Sequence, residues 1–393
     1  MPTKEIYLDY AAATPIDPRV LEAMQPYFSE KFYNPSASYL PAKRVREAYE
    51  AKKAILANSI GAKLNDLIIT AGATESINLA FTTLRNYPDS HCLILQTEHA
   101  AVHESAKAIS QGCYDEILVE PSGLVNLNDL KSKIKENTVL ISIALANNEL
   151  GVIQPLSEFS KIIQTVREDR LKRKNFTPLY LHSDASQAMN LIDLSVSRLG
   201  VDLLTLNAAK IYGPKGIGAL YAARGVKLSP IVFGGGQEMG LRSGTENVAS
   251  LVGFAEAAIL AKSHLAANRK KYQELSRLFR QNLETDAKIP PYWLGDPKHQ
   301  LSNFAPVSFP GLDAERLIFK LEDLGIYLST GAACAASKGK KSRTYAALGL
   351  SDSEIDGSLR ITFGKDNQSA DIIQAAKTIA RIINQEAERL KLI

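Results

Sequence analysis

Short apolar runs punctuate the first half of the chain: Asp66-Leu67-Ile68-Ile69-Thr70, Leu93-Ile94-Leu95, Thr138-Val139-Leu140-Ile141-Ser142-Ile143, Leu179-Tyr180-Leu181-His182 and Asp202-Leu203-Leu204-Thr205-Leu206. Each is shorter than a typical helix and rich in aliphatic side chains, so each predicts a buried strand. Between them, residues 41–60 and 156–174 space their apolar positions at helical intervals and keep charged residues on the outer face. Strands alternating with helices predict an α/β sheet with mainly parallel strands, whose functional groups collect at the strand carboxyl ends. Near residue 250 the pattern changes to a long helical stretch over 249–283, then to short strand-like pieces around 301–309 and 326–329. That change predicts a second, smaller domain, closed by an amphipathic helix over 369–390.

Composition narrows the picture. A chain of 393 residues, 45% hydrophobic and 22% charged, can bury a large core and fill more than one domain. A formal net charge of +4 gives no reason to expect a nucleic-acid partner. The three cysteines, Cys92, Cys113 and Cys334, lack the paired spacings of a disulfide framework or a thiolate zinc site, which predicts a reducing compartment. The opening MPTKEIYLDYAAATP has no apolar stretch behind a basic region, and no later run reads as a bilayer span. The expectation is a soluble cytoplasmic protein with no membrane contact.

Several segments could carry chemistry. Thr70-Ala71-Gly72-Ala73-Thr74-Glu75-Ser76 runs from a strand into a helix, where small residues, helix N–H groups and the Thr74 hydroxyl could cradle a phosphate; an ordinary strand-to-helix turn has the same look. Asp184 ends a strand, where it could meet a protonated heterocyclic nitrogen or merely cap the next helix. Lys210 follows the last of the apolar runs and precedes the Gly/Pro-rich turn Tyr212-Gly213-Pro214-Lys215-Gly216. Fixed between Ala209 and Ile211, its amine suits attack on an aldehyde cofactor. Cys334 lies among small residues with Lys338, Lys340, Lys341 and Arg343 downstream, and nearby positive charge favours the nucleophilic thiolate. Cys92 and Cys113 instead read as inert, buried thiols. Arg360, inside an apolar run, needs an anion: a substrate carboxylate or a structural acid. His99 and His103 have helical spacing without the glutamate of a zinc-protease motif, so no metal is expected.

In this order the segments resemble the cysteine desulfurases of the iron-sulfur-cluster assembly and nitrogen-fixation type, in the class V aminotransferase group of fold-type I pyridoxal-phosphate (PLP) enzymes. The matching residues cover nearly the whole chain: Tyr7-Leu8-Asp9-Tyr10-Ala11-Ala12, Asn34-Pro35-Ser36, Ala73-Thr74-Glu75-Ser76, Thr97-Glu98-His99, Asn147-Asn148-Glu149-Leu150-Gly151, Asp184-Ala185-Ser186-Gln187, Lys210 to Gly216, Gly235-Gly236-Gln237-Glu238, Arg242-Ser243-Gly244-Thr245, the Cys334 segment and Arg360. The resemblance implies a large PLP-binding domain at residues 15–255 and a small α+β domain of residues 1–14 and 256–393 that carries Cys334 and Arg360. It implies Lys210 as the Schiff-base lysine, His99 as the group stacked on the pyridine ring, Asp184 as the partner of the ring nitrogen, and Asn148 and Gln187 at the phenolic oxygen. Ala73, Thr74, Asn207 and, across a homodimer boundary, Thr245 match phosphate-binding positions. Asn34 and Arg360 match substrate-carboxylate positions, and Cys334 matches the nucleophile that becomes a persulfide.

By the same resemblance the substrate is L-cysteine, the product alanine, and the sulfur passes to an iron-sulfur scaffold or another acceptor protein. A selenocysteine lyase, another aminotransferase on this scaffold and a non-catalytic assembly protein are the alternatives. The chain departs from the family pattern at Ala209, where a histidine usually precedes the lysine, at Asn207, where serine is usual, and at Tyr39, where histidine is common. Loss of the imidazole donor predicts weaker PLP retention, by ~1 to 3 kcal/mol if nothing compensates. The interval from Cys334 to Arg360 resembles the long-loop branch of the family.

Overall fold

A computed structural model describes residues 5–331 and 341–393; Cys334 lies outside the described residues. The strands, in chain order, are β1 (Ile6–Tyr7), β2 (Leu67–Thr70), β3 (His91–Leu95), β4 (Tyr114–Ile117), β5 (Thr138–Ser142), β6 (Tyr180–Asp184), β7 (Leu203–Asn207), β8 (Gly218–Ala222), β9 (Tyr292–Trp293), β10 (Val307–Ser308), β11 (Ile326–Tyr327), β12 (Ser329–Thr330) and β13 (Ser358–Arg360). A seven-stranded sheet has the order β2-β8-β7-β6-β5-β3-β4. β8 runs antiparallel to both neighbours, and the pairs from β7 across to β4 are parallel. The expected α/β class and mainly parallel sheet are therefore present, and the five apolar runs all form strands.

Alternation explains why these strands are apolar throughout. Leu67, Ile69, Leu93, Leu95, Ile141, Leu204 and Leu206 face one core cluster, while Ile68, Cys92, Ile94, Leu140 and Leu203 face another on the opposite side. Both faces are covered, so polar alternation would bury unpaired groups. β4 and β8 escaped the sequence reading. β4 is an edge strand carrying Asp115 and Glu116, and such charges discourage further pairing. β8 emerges directly from the Gly/Pro-rich turn, which masked its apolar character.

The helix Val248–Asp286 continues past the expected 283 and buries Tyr272, Leu275, Phe279 and Leu283 at helical spacing. By length and composition this helix could cross a bilayer, which corrects the expectation that no run could; 61% of its most apolar window is nevertheless buried inside the protein. Its packing against the Leu40–Ser59 and Ser369–Arg389 helices is that of a core helix. The later short strands form a four-stranded sheet, β12-β13-β10-β9, and β1 pairs with β11, so the N-terminal segment returns to the C-terminal part of the chain. Cys113 is a second correction: it is exposed. The turn through Gln111 and Gly112, both at positive φ, carries it outside before the edge strand begins.

Candidate functional site

The carboxyl ends of the parallel strands gather the predicted groups. β6 ends at Asp184, whose Oδ1 accepts from the Ser186 amide at 2.9 Å and the Ser186 hydroxyl at 2.6 Å. β7 leads through Asn207 into a 3-10 turn, Ala208–Lys210, that lifts Lys210 off the sheet. Lys210 Nζ donates to the carbonyls of Ala11 at 2.8 Å and Ala12 at 2.6 Å. Gln187 Nε2 donates to the same Ala11 carbonyl at 3.0 Å, so the N-terminal segment joins side chains from two strand ends.

His99 caps the Ala100–Ile109 helix after β3, its Nδ1 accepting from the Ala101 amide at 3.1 Å. With that lone pair engaged, the proton of the neutral ring sits on Nε2. Burial holds the His99 pKa below the usual imidazole value; the Asp184 charge opposes the shift and the Lys210 charge reinforces it. His99, Asp184 and Lys210 thus lie within one electrostatic neighbourhood. His103 faces elsewhere, with Nδ1 3.4 Å from Glu116, so the two histidines do not converge.

The segment expected to cradle a phosphate has an open helix start that fits an anion. The Ala73–Phe81 helix starts after Gly72 with no side-chain cap, so its first N–H groups need another acceptor. Gly218 pairs with both Thr70 and Asn207, and a Cβ there would come within 2.7 Å of the Gly72 carbonyl carbon and of the Leu206 carbonyl oxygen. Glycine at this position therefore lets the helix start lie close against β7. Ala73 is half-buried and Thr74 exposed. Asn207 Oδ1 accepts from the Ala209 amide at 3.2 Å, which leaves its Nδ2 as the donor available to an anion. Thr245 is exposed, on a segment tied down by Gly244 N to Gln237 Oε1 at 2.9 Å and by Arg242 to Glu75 at 3.0 Å.

Arg360 is 5% exposed; it donates to Asp9 at 2.8 Å and to the Asn148 carbonyl at 3.2 Å, while its buried Nε has no partner among the described residues. The structural acid left open by the sequence exists. Asn34 is exposed, and its Oδ1 accepts from the Ser36 amide at 2.9 Å. Tyr39 precedes the Leu40–Ser59 helix, with Tyr33 edge-on at 6.0 Å between ring centroids.

Behind these groups runs a buried polar chain to which the sequence reading gave no role. Ser142 Oγ lies 2.9 Å from Glu98 and 2.9 Å from His182 Nδ1, and His182 Nε2 lies 3.0 Å from Thr205 Oγ1. Burial first, then the Asp184 charge, pushes the Glu98 carboxyl up to about 8, and burial pushes His182 down to about 4. Both shifts favour the uncharged form. Their partners come from other strands, so local sequence could not reveal the chain.

The class-V aminotransferase family pattern matches residues 6–374. Cysteine desulfurase IscS 1 of Archaeoglobus fulgidus is 37% identical over 385 residues, covering 96% of this chain and 97% of its own. Cysteine desulfurase IscS of Clostridium botulinum is 34% identical, covering 98% and 96%. A solved NifS-like protein superimposes with a TM-score of 0.88 at 30% identity, covering 97% of this chain and all of the other.

Proposed function

Because the chain belongs to the class-V aminotransferase family, we propose that it is a PLP-dependent cysteine desulfurase that forms L-alanine from L-cysteine and takes the sulfur onto Cys334. The observation that carries this reading is the gathering of Lys210, Gln187, Asp184 and His99 at adjoining strand ends, beside an uncapped helix start. When bound, PLP supplies an electron sink for bond breaking at the substrate's α-carbon.

The chain's own residues do the rest. Lys210 would hold the aldehyde carbon, Asp184 the protonated ring nitrogen, His99 the ring face, and Asn148 and Gln187 the phenolic oxygen. Ala73, Thr74, Asn207 and Thr245 from a second copy would hold the phosphate, and Asn34 and Arg360 the substrate carboxylate. The Lys210 amine, once displaced by substrate, moves the α-proton. With Nδ1 occupied by the backbone, His99 would offer Nε2–H as its donor. Cys334 thiolate attacks the substrate sulfur; the substrate's Cβ–S bond breaks, an S–S bond forms, and a proton returned to carbon completes alanine. Sulfur is oxidised by as much as carbon is reduced, so no outside oxidant is needed.

The sulfur acceptor is a protein, an iron-sulfur scaffold or a tRNA-thiolation partner. We assign the PLP-binding domain to residues 15–255 and the small domain to 1–14 and 256–393. Exposed Phe28, Phe32, Tyr39, Leu40 and Phe233 suit burial against the second copy of a homodimer. The test is alanine formation from L-cysteine with and without added PLP, with the Cys334 peptide weighed after one turnover. Alanine and a sulfur-bearing Cys334 are expected; a keto-acid product, or an unmodified Cys334 beside normal alanine release, would overturn the reading.

A further inference from the structure

We propose that Glu149 is a positioning residue for sulfur transfer, fixing the C-terminal stem of the Cys334 segment against the Asn148 and Arg360 side of the site. The inference rests on the role given to Cys334 above. Glu149 Oε2 accepts from the Ser342 hydroxyl at 2.5 Å, and Oε1 accepts from the Thr344 hydroxyl at 2.9 Å. Ser342 and Thr344 are 3% and 2% exposed, so water does not compete for these bonds.

The chemistry favours a carboxylate there. Burial raises the Glu149 pKa, and the Ser342 and Thr344 hydroxyls and the Arg360 charge oppose that rise; in its ionised form the carboxylate only accepts, so both hydroxyls then donate to it. That leaves a Ser342 lone pair for the Tyr345 amide, 3.1 Å away, where Ser342 caps the helix Arg343–Ala347. A glutamine would offer one acceptor and one donor and could satisfy only part of this pattern.

The other end of Glu149 is fixed to the site. The amides of Glu149 and Leu150 donate to Asn147 Oδ1 at 2.8 and 2.7 Å, and Asn147 Nδ2 donates to the Thr97 carbonyl at 2.8 Å, two residues before His99. The Asn148 carbonyl accepts from Arg360. Below this contact Leu150, Val152, Leu294, Tyr345 and Leu348 form a small core of their own. The N-terminal stem meets the same place: a Cβ on Gly331 would lie 1.9 Å from the Tyr345 ring, so the backbone of Gly331 rests on that ring. In sequence, Cys334 is three residues after Gly331 and eight before Ser342. The outer contacts, Arg343 to Glu116 at 2.6 Å and Lys341 to Asp352 at 2.9 Å, are solvent-exposed pairs that hold weakly by comparison.

The experiment uses PLP-loaded protein carrying Glu149→Ala, Glu149→Gln, or Ser342→Ala with Thr344→Val, the last leaving Glu149 in place. Three readouts are taken: PLP content, the rate of sulfur appearance on Cys334 in a single turnover, and the rate of Cys334 alkylation by iodoacetamide without substrate. Glu149→Ala and the double variant should keep PLP, slow sulfur appearance by roughly 10- to 100-fold and change the alkylation rate; Glu149→Gln should fall between them and the parent. Parental rates of transfer and alkylation in both altered chains would overturn the proposal, as would loss of PLP in parallel with transfer. If Cys334→Ala alone still forms alanine normally, the persulfide reading fails instead, and alkylation still tests the stem.

Discussion

Under the proposed function the strand ends and the residues flanking the Cys334 segment share one task, positioning a reactive group, and meet it by different means. Asp184 ends β6 and Lys210 sits three residues beyond β7, strands paired on both sides, so the sheet sets their positions. Ser342 and Thr344 follow no long element; their hydroxyls meet one carboxylate, 193 and 195 residues away in sequence, beside the small core around Tyr345 and Leu348. The first arrangement is fixed by the sheet as a whole, whereas the second depends on a few local contacts. Substitutions in the two regions should therefore separate cofactor chemistry from sulfur transfer.

The largest separation is expected from Lys210→Ala. Alanine formation should fall by at least roughly 10²- to 10⁴-fold, with loss of the yellow colour of bound PLP, while iodoacetamide should alkylate Cys334 at the parental rate. A parallel change in alkylation would mean that the two regions are not independent.

Gly218→Ala should follow. The added methyl meets backbone atoms of Gly72 and Leu206 rather than a flexible side-chain end, so the cradle must open or β8 must shift. A loss of about 3 kcal/mol in urea unfolding is expected, together with lower PLP content after dialysis. Unchanged PLP content with reduced stability would show that the helix start is not the phosphate site.

The same contrast explains what the sequence could reveal. Strands buried on both faces announce themselves as apolar runs, and a polar residue just past such a run, Asp184 or Lys210, stands out against its surroundings. The edge strand β4 and the turn-derived β8 carry no such signal. Glu98 and Glu149 were visible only as members of motifs, because their partners Ser142 and Ser342 lie 44 and 193 residues away. The competing structural partner of Arg360, Asp9, was hidden by a separation of 351 residues.

Ala209→His probes the chain's own departure from the family pattern. The Asn207 amide already offers one donor near the cradle, so restoring the imidazole should tighten PLP retention by only about 1–2 kcal/mol. Dialysis against PLP-free buffer measures it, and no gain would mean that Asn207 compensates fully. Cys334 alkylation should not change, since the substitution lies at the strand ends.

Glu98→Gln has the smallest expected effect and tests the buried polar chain beneath the strand ends. The Glu98 carboxyl is raised to about 8 from an ordinary 4.5, so its contribution to stability is complete below pH 4.5 and is lost as pH rises through 8. His182 acts in the opposite sense: lowered to about 4 from 6.5, its contribution is complete above pH 6.5 and is lost as pH falls through 4. The two slopes oppose each other below pH 6.5, and Glu98 is left uncompensated between pH 6.5 and 8. Over that window the parent should lose on the order of 1 kcal/mol more stability than the glutamine variant, read from urea unfolding of both chains at the two pH values. Parallel curves would mean that Glu98 is already ionised at pH 6.5, and that the field at Asp184 includes a second negative charge.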